Sequence, residues 1–292
     1  MTHPSDPKVT FVTRTQDDPL TMDSPVCGGC GTNCQPFDSG VVLGHIEVQY
    51  FRCPQCGLVR TEDPTWLDEA YSTPIASMDV GLLGRCLALA DVTEAVVRTL
   101  SLRSRGLDWA GGYGVLTRLL RDRGLDFYHF DPYTKNIFAA GLEGDPAEKW
   151  DVVTLFEVLE HLTDPITDLA PLCAASPVLL FTTEVLPDPA PRVGSWWYYA
   201  LEGGQHVAFY TMASLAALAD RLDRELVSDG RSIHALCVKG ALPRQTREVI
   251  QRRRLSRRLL PLLRKTRPTV SLLQDDFETA RLAAGMRGTA PD

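Results

Sequence analysis

Two Cys-x-x-Cys-Gly pairs, Cys27-Gly-Gly-Cys30-Gly31 and Cys53-Pro-Gln-Cys56-Gly57, stand 22 residues apart near the start of this 292-residue chain. Each pair brings two thiols to one point. The glycine after the second cysteine permits a tight turn that aims backbone N–H groups at sulfur. Two such pairs supply the tetrahedral four-thiolate set of a structural metal site, with zinc the expected ion and Cys27, Cys30, Cys53 and Cys56 the expected ligands. Four protein ligands close the shell, so the role is structural, and Cys34 reads as a bystander. The remaining cysteines, Cys86, Cys173 and Cys237, are scattered in apolar or helical contexts. That distribution suits ligation and buried thiols in a reducing compartment, not a disulfide framework. The segment around the knuckles has few large apolar side chains. Ordering it at about 1.5 kcal/mol per residue calls on the roughly 10–16 kcal/mol that structural zinc returns.

From residue 105 onward the chain alternates strand and helix patterns. Strands are expected at 106–110, 125–130, 151–156 and 177–183, and helices at 115–123, 165–174 and 211–222. Two closing strands, 225–228 and 232–239, flank Asp229-Gly230, a hairpin signal. The expected fold class is α/β: a Rossmann-like doubly wound sheet ending in an antiparallel hairpin, preceded by a small zinc ribbon. The expected organisation is a mobile tail (1–24), the ribbon (25–62), a helical connector (63–104), a main α/β domain (105–240) and a basic helical tail (241–292).

Gly106-Leu-Asp-Trp-Ala-Gly-Gly-Tyr-Gly114 leaves a strand and enters a helix. Small residues at Ala110, Gly112 and Gly114 let backbone approach a ligand at a helix N-terminus. Asp131 ends the next strand, where a carboxylate can accept both hydroxyls of a ribose. The dinucleotide fingerprint fails, because its third glycine position holds Thr117. A nucleoside cofactor without pyrophosphate fits better.

These residues resemble the class I S-adenosylmethionine-dependent methyltransferases. Their first motif aligns with Asp108, Ala110, Gly112 and Gly114, with alanine in place of the first glycine. The ribose-binding acid of the family falls on Asp131. Its fourth-strand block resembles Asp151-Val-Val-Thr-Leu-Phe-Glu-Val-Leu-Glu-His-Leu-Thr-Asp-Pro165. The resemblance implies that S-adenosylmethionine is the cofactor, that Phe156 and Glu157 border it, and that the adenine lies near Gly144 and Asp145. With the cysteine pairs, it extends to methyltransferases carrying an N-terminal zinc-binding domain, some of which modify sugars.

The acceptor site is expected beyond the strand ends, near Glu157, Glu160, His161 and Glu184 and along the loop Ser195–Tyr210. Its four consecutive aromatics, Trp196 to Tyr199, suit stacking on a sugar or base, or a lid. His206 and His161 are the candidate catalytic residues, as acceptor contact or general base, with Glu160 a partner of His161. His45, His129 and His234 read as strand or surface residues. The expected activity is methyl transfer to a small-molecule acceptor, sugar-like or a nucleotide-sugar, at a hydroxyl or amine. The alternatives are an RNA methyltransferase and a non-catalytic scaffold that keeps the fold.

The net charge of −7 hides an asymmetry. Residues 241–268 carry ten basic side chains against one acid, Glu248. An acidic body and a ribbon with net charge −1 disfavour nucleic acid as a partner. The basic tail, helical but interrupted at Pro261, is a candidate for packing on the body or for contact with an anionic surface or partner. No run is long and apolar enough for a transmembrane helix, and no secretory signal opens the chain. A cytoplasmic location is expected.

Overall fold

The computed structural model describes residues 24–72, 80–101 and 103–284, with side chains for all of these but 253–257. The expected tail over 1–24 lies outside the described residues, except for its last position. A hairpin comes first: β1 (Gln35–Val42) and β2 (Ile46–Arg52) pair antiparallel, and β3 (Val59–Thr61) adds to β2. The short α1 (Leu67–Ala70) and the long α2 (Leu82–Leu100) follow.

The alternating region then builds β4 (Arg105–Trp109), α3 (Val115–Asp122), β5 (Asp126–Phe130), β6 (Val152–Leu155), α4 (Pro165–Ala175) and β7 (Val178–Thr182). Every residue of β6 and β7 is buried, as expected of strands covered on both faces. Local chemistry sets the helix starts. Asp164 accepts the Thr167 amide with Pro165 in the first turn of α4. After β8 (Ala208–Phe209), Thr211 and Ser214 form a reciprocal capping box at the start of α5 (Met212–Arg221). The chain continues through β9 (Glu225–Ser228), β10 (Ile233–Cys237), α6 (Arg244–Gln251), α7 (Arg253–Thr266) and α8 (Leu273–Ala283).

Six strands form the main sheet in the order β5-β4-β6-β7-β10-β9. The first four are parallel, and β10 runs antiparallel to both β7 and β9. The sheet therefore ends in the expected hairpin. At its turn Asp229 Oδ1 accepts the amides of Arg231, Ser232 and Ile233 at 2.8, 2.8 and 3.1 Å.

The cysteine segment departs from the expectation of a discrete ribbon preceding this sheet. Its strands belong to a four-stranded sheet, β1-β2-β3-β8, whose last member arrives from beyond β7. Val59 pairs with Phe209 and Arg60 with Ala208. The physical reason is burial. The segment has too little apolar surface of its own, and Val48, Tyr50 and Val59 share one core with Trp66, Tyr198, Tyr199 and Phe209. The four paired cysteines likewise share a core with Leu155, Tyr210 and Leu215 of the main domain.

The basic tail is tied down by charge. Glu94, in the buried half of α2, is fully buried and meets Arg98 at 2.8 Å and Arg264 of α7 at 2.5 Å. Burial pushes the Glu94 carboxyl up, but Arg264 and Arg98 outweigh it and hold the group below its ordinary range. Asp276 of α8 bridges Arg118 and Arg121 of α3 at 2.9 and 2.6 Å. Contrary to the expected interruption, α7 runs through Pro261, with Arg264 paired to Glu94 and Leu260 buried. Among the described residues, no helix is long and apolar enough to cross a membrane.

Candidate functional site

From β4 the chain steps outward to β5, and from β6 it steps the other way to β7. The crevice at the carboxyl ends of β4 and β6 is thus the topological switch point, where open α/β sheets bind ligands. The glycine loop sits there. Ala110, Gly112 and Gly114 all take positive φ, at 55°, 58° and 84°. Ala110 bears a strain of roughly 1–2 kcal/mol that glycine at this position would escape. At Gly114 a Cβ would come within 2.5 Å of Asn136 Oδ1. No side chain caps the start of α3, so its first amides face the crevice with no side-chain acceptor of their own.

Asp131 joins this loop directly. Its Oδ2 accepts the Gly112 amide at 2.9 Å, while Oδ1 accepts the amides of Tyr133 and Thr134 at 2.8 and 2.7 Å. Asp108 lies elsewhere. It is 2 % exposed, beneath the loop, and accepts hydrogen bonds from Thr154 at 2.7 Å and Thr117 at 3.3 Å. Burial pushes its carboxyl up to about 6 against the downward pull of Thr154, His129 and Thr117. Asp108 is placed to brace the loop through Thr117 and Thr154.

His129, which the sequence marks only as a strand residue, is a second brace. It is paired in register with Asp108 across β4 and β5, and its Nε2 lies 2.9 Å from the Gly112 carbonyl. A carbonyl only accepts, so Nε2 carries the proton. The one signal in the sequence is its inward position on an alternating strand.

Phe156 and Glu157 stand at the end of β6, both partly buried. Phe156 packs toward the core under α2. Glu157 has φ of 56°, and Thr182 holds it, accepting its amide at 2.8 Å and donating to its carboxylate at 2.7 Å. Gly144 packs close to Leu107, Tyr128 and Trp150, and its amide donates to the His129 carbonyl at 2.9 Å.

The turn after β6, Leu159–His161, and the stretch leading into β8 bring the two candidate histidines together. Their ring centroids lie 4.9 Å apart, edge to face. His206 Nδ1 is 2.7 Å from the Tyr198 carbonyl, and His161 Nδ1 is 3.0 Å from the Gln205 carbonyl and 2.9 Å from Tyr71 Oη. Both Nδ1 atoms therefore carry the proton, and both Nε2 lone pairs are free in the neutral rings. Burial, with His206 alongside, lowers His161 to about 3, and burial lowers His206 to about 4. Beside them lies Glu160, fully buried, with neither carboxylate oxygen in a hydrogen bond of ordinary geometry though the Tyr198 and Thr183 hydroxyls are nearby. Burial and the nearby Glu157 charge push it up to about 8. The expected Glu160–His161 partnership is therefore one of proximity without a hydrogen bond between them.

The aromatic run divides. Tyr198 and Tyr199 are each 1 % exposed and belong to the core shared with β2, whereas Trp197 is 72 % exposed. Of the four, Trp197 offers the open ring face; burial of both neighbouring tyrosines against β2, invisible in four adjacent aromatic letters, consumes them.

The cysteine cluster is assembled as expected. The Cys27–Cys56 and Cys30–Cys53 sulfurs are each 3.4 Å apart, and all four sulfurs lie within 4.8 Å of one another. Tetrahedral Zn–S bonds of about 2.3 Å place sulfurs about 3.8 Å apart, so the donor set fits such an ion. The Cys30 and Cys56 amides each point at the preceding cysteine's sulfur at 3.5 Å.

Residues 85–229 match a protein family described as "Methyltransferase domain". Among solved structures, the chain is similar to CalO1, a methyltransferase in calicheamicin biosynthesis, with 18 % identity over 58 % of this chain and 60 % of that one and a TM-score of 0.39. TnmH shows 19 % identity over 60 % and 62 %, with a TM-score of 0.42. The magnesium protoporphyrin IX methyltransferase of Synechocystis PCC 6803 shows 15 % identity over 59 % and 92 %, with a TM-score of 0.40. The chain thus spans about six-tenths of the length of the first two of these structures. No curated protein matches it at a significant level. The family match thus gives residues 85–229, just under half of the chain, the character of a methyltransferase domain.

Proposed function

We propose that this protein transfers a methyl group from S-adenosylmethionine to a small acceptor bearing a hydroxyl or amine, with a sugar-like molecule the best fit. The observation that carries the cofactor assignment is the join between Asp131 and the Gly112 amide at the switch point, beside the uncapped start of α3. Ala110, Gly112 and Gly114 are the backbone cradle, Asp131 the ribose ligand, and Phe156 and Glu157 the neighbouring wall. Asp108 keeps the cradle in shape from below. The cofactor supplies an electrophilic methyl on sulfonium, so the protein's task is chiefly to align the acceptor, a contribution of roughly 7–11 kcal/mol.

His206 and His161 are the candidate acceptor-side residues. Each is neutral at pH 7 and presents an unprotonated Nε2, as a group that takes a proton or orients a hydroxyl must. Trp197 supplies an exposed ring face on the same loop as His206, which supports a sugar-like acceptor. The four cysteines hold a structural zinc in this reading.

Titration of S-adenosylmethionine into the zinc-loaded protein, alongside Asp131→Ala and Asp131→Asn, tests it. Saturable binding is expected in the wild type, with at least a tenfold loss in both variants, about 1.4 kcal/mol or more. A folded wild type that binds no S-adenosylmethionine overturns the reading.

A further inference from the structure

We infer that Glu160, His161 and His206 form a second metal site, separate from the four cysteines, that takes a divalent first-row transition ion. The inference deepens the acceptor-side reading above and rests on it for its place in catalysis, but not for its existence as a site.

Three observations carry it. One donor atom from each of the three residues lies within 4.8 Å of the other two. Glu160 is fully buried, and neither of its oxygens makes a hydrogen bond of ordinary geometry, the nearby Tyr198 and Thr183 hydroxyls offering it only weak donors. A buried carboxyl without a well-formed hydrogen bond is costly to keep, and a bound cation is a group that would meet it. The histidines give the third. Each donates Nδ1–H to a backbone carbonyl, His161 to Gln205 and His206 to Tyr198. Metal-ligating histidines are fixed in this manner, the carbonyl selecting the tautomer that leaves Nε2 as the ligand.

The donor set decides the ion. Two imidazoles and one carboxylate favour zinc, iron, cobalt or manganese over magnesium or calcium, which seek all-oxygen shells. Three protein ligands also leave positions open, unlike the closed four-cysteine set. An ion here would polarise an acceptor hydroxyl beside the Trp197 loop.

The test uses the full chain with zinc already in the cysteine site and Co²⁺ as the probe, followed by calorimetry and by absorption. The expected result is one further saturable equivalent of Co²⁺ with no thiolate-to-metal charge-transfer band, and zinc content unchanged. Glu160→Gln and His206→Gln should each weaken that binding at least tenfold while leaving the zinc content and the thermal midpoint of the zinc-loaded protein in place. Absence of a saturable second equivalent overturns the inference, as does a band showing that cobalt entered only the cysteine site, or binding indifferent to both variants. S-adenosylmethionine binding is measured on the same samples. Its retention alongside failed cobalt binding removes the metal site and leaves the methyltransferase reading standing; the converse removes the cofactor assignment alone.

Discussion

Asp108 and His129 stand paired in register beneath the glycine loop, both almost fully buried. Their work is to hold the loop's backbone. His129→Leu should therefore leave the Gly112 carbonyl without its donor. An unmet buried acceptor costs about 1–3 kcal/mol, so the variant is expected to unfold at lower denaturant and to bind S-adenosylmethionine more weakly. Urea titration and calorimetry read the two effects. Asp108 has a pH signature. Its folded pKa, about 6, exceeds the ordinary aspartate value of 3.8, so its neutral form is the one the fold prefers. The stability linked to this preference is present below about pH 4 and is lost as pH rises through about 6. A displacement of this size corresponds to roughly 3 kcal/mol. Between the two pKa values, the stability of Asp108→Asn relative to wild type should accordingly rise with pH by an amount of that order, measured by urea unfolding at each pH.

At the scale of elements, α7 shows what a basic segment does when acids wait for it. Glu94 is fully buried between Arg98 and Arg264, and a buried pair stripped of one partner costs about 3–5 kcal/mol because a charge is left alone. Arg264→Ala is expected to fall at the lower end, since Arg98 and Arg123 remain and the Arg264 side chain is itself half exposed. Amide exchange in α7 should speed up well before exchange in β4 to β7. The elements differ in how far the sequence announces them. β4, β5, β6, β7 and β9 are legible to within a residue or two, because alternation, buried runs and turn residues agree. β8 is two residues long and pairs with a strand far back in the chain, so no local pattern marks it. The burial of Tyr198 and Tyr199 is hidden for the same reason: what buries them is β2, which the loop's own sequence does not mention. The glycine loop and Asp131 are readable from spacing, whereas His129 becomes visible only once register places it against Asp108.

For the whole molecule, the four cysteines are not a detachable clasp. Their side chains lie in one continuous core with residues of β6, α4, β7 and α5, and Thr211 ties the start of α5 to the Cys56 carbonyl at 2.5 Å. Removing the ion with a chelator under reducing conditions should lower the melting temperature of the main α/β domain itself, in one transition and not two. Calorimetry of metal-loaded and stripped protein checks this; a stripped protein whose main transition stays put would separate the two regions. S-adenosylmethionine binding should weaken on stripping for the same reason.

The pairing of β3 with β8 also carries a consequence in time. About 150 residues separate the two strands, and at roughly 5–20 residues per second a ribosome needs on the order of 10–30 s to make them. During that interval the nascent thiols are outside the tunnel while the strand that completes their sheet has yet to be synthesised. The cell must therefore either charge them with metal early or shelter them from oxidation until residue 209 emerges. Slow translation between the codons of β3 and β8 should be costly in a way that slow translation beyond β10 is not.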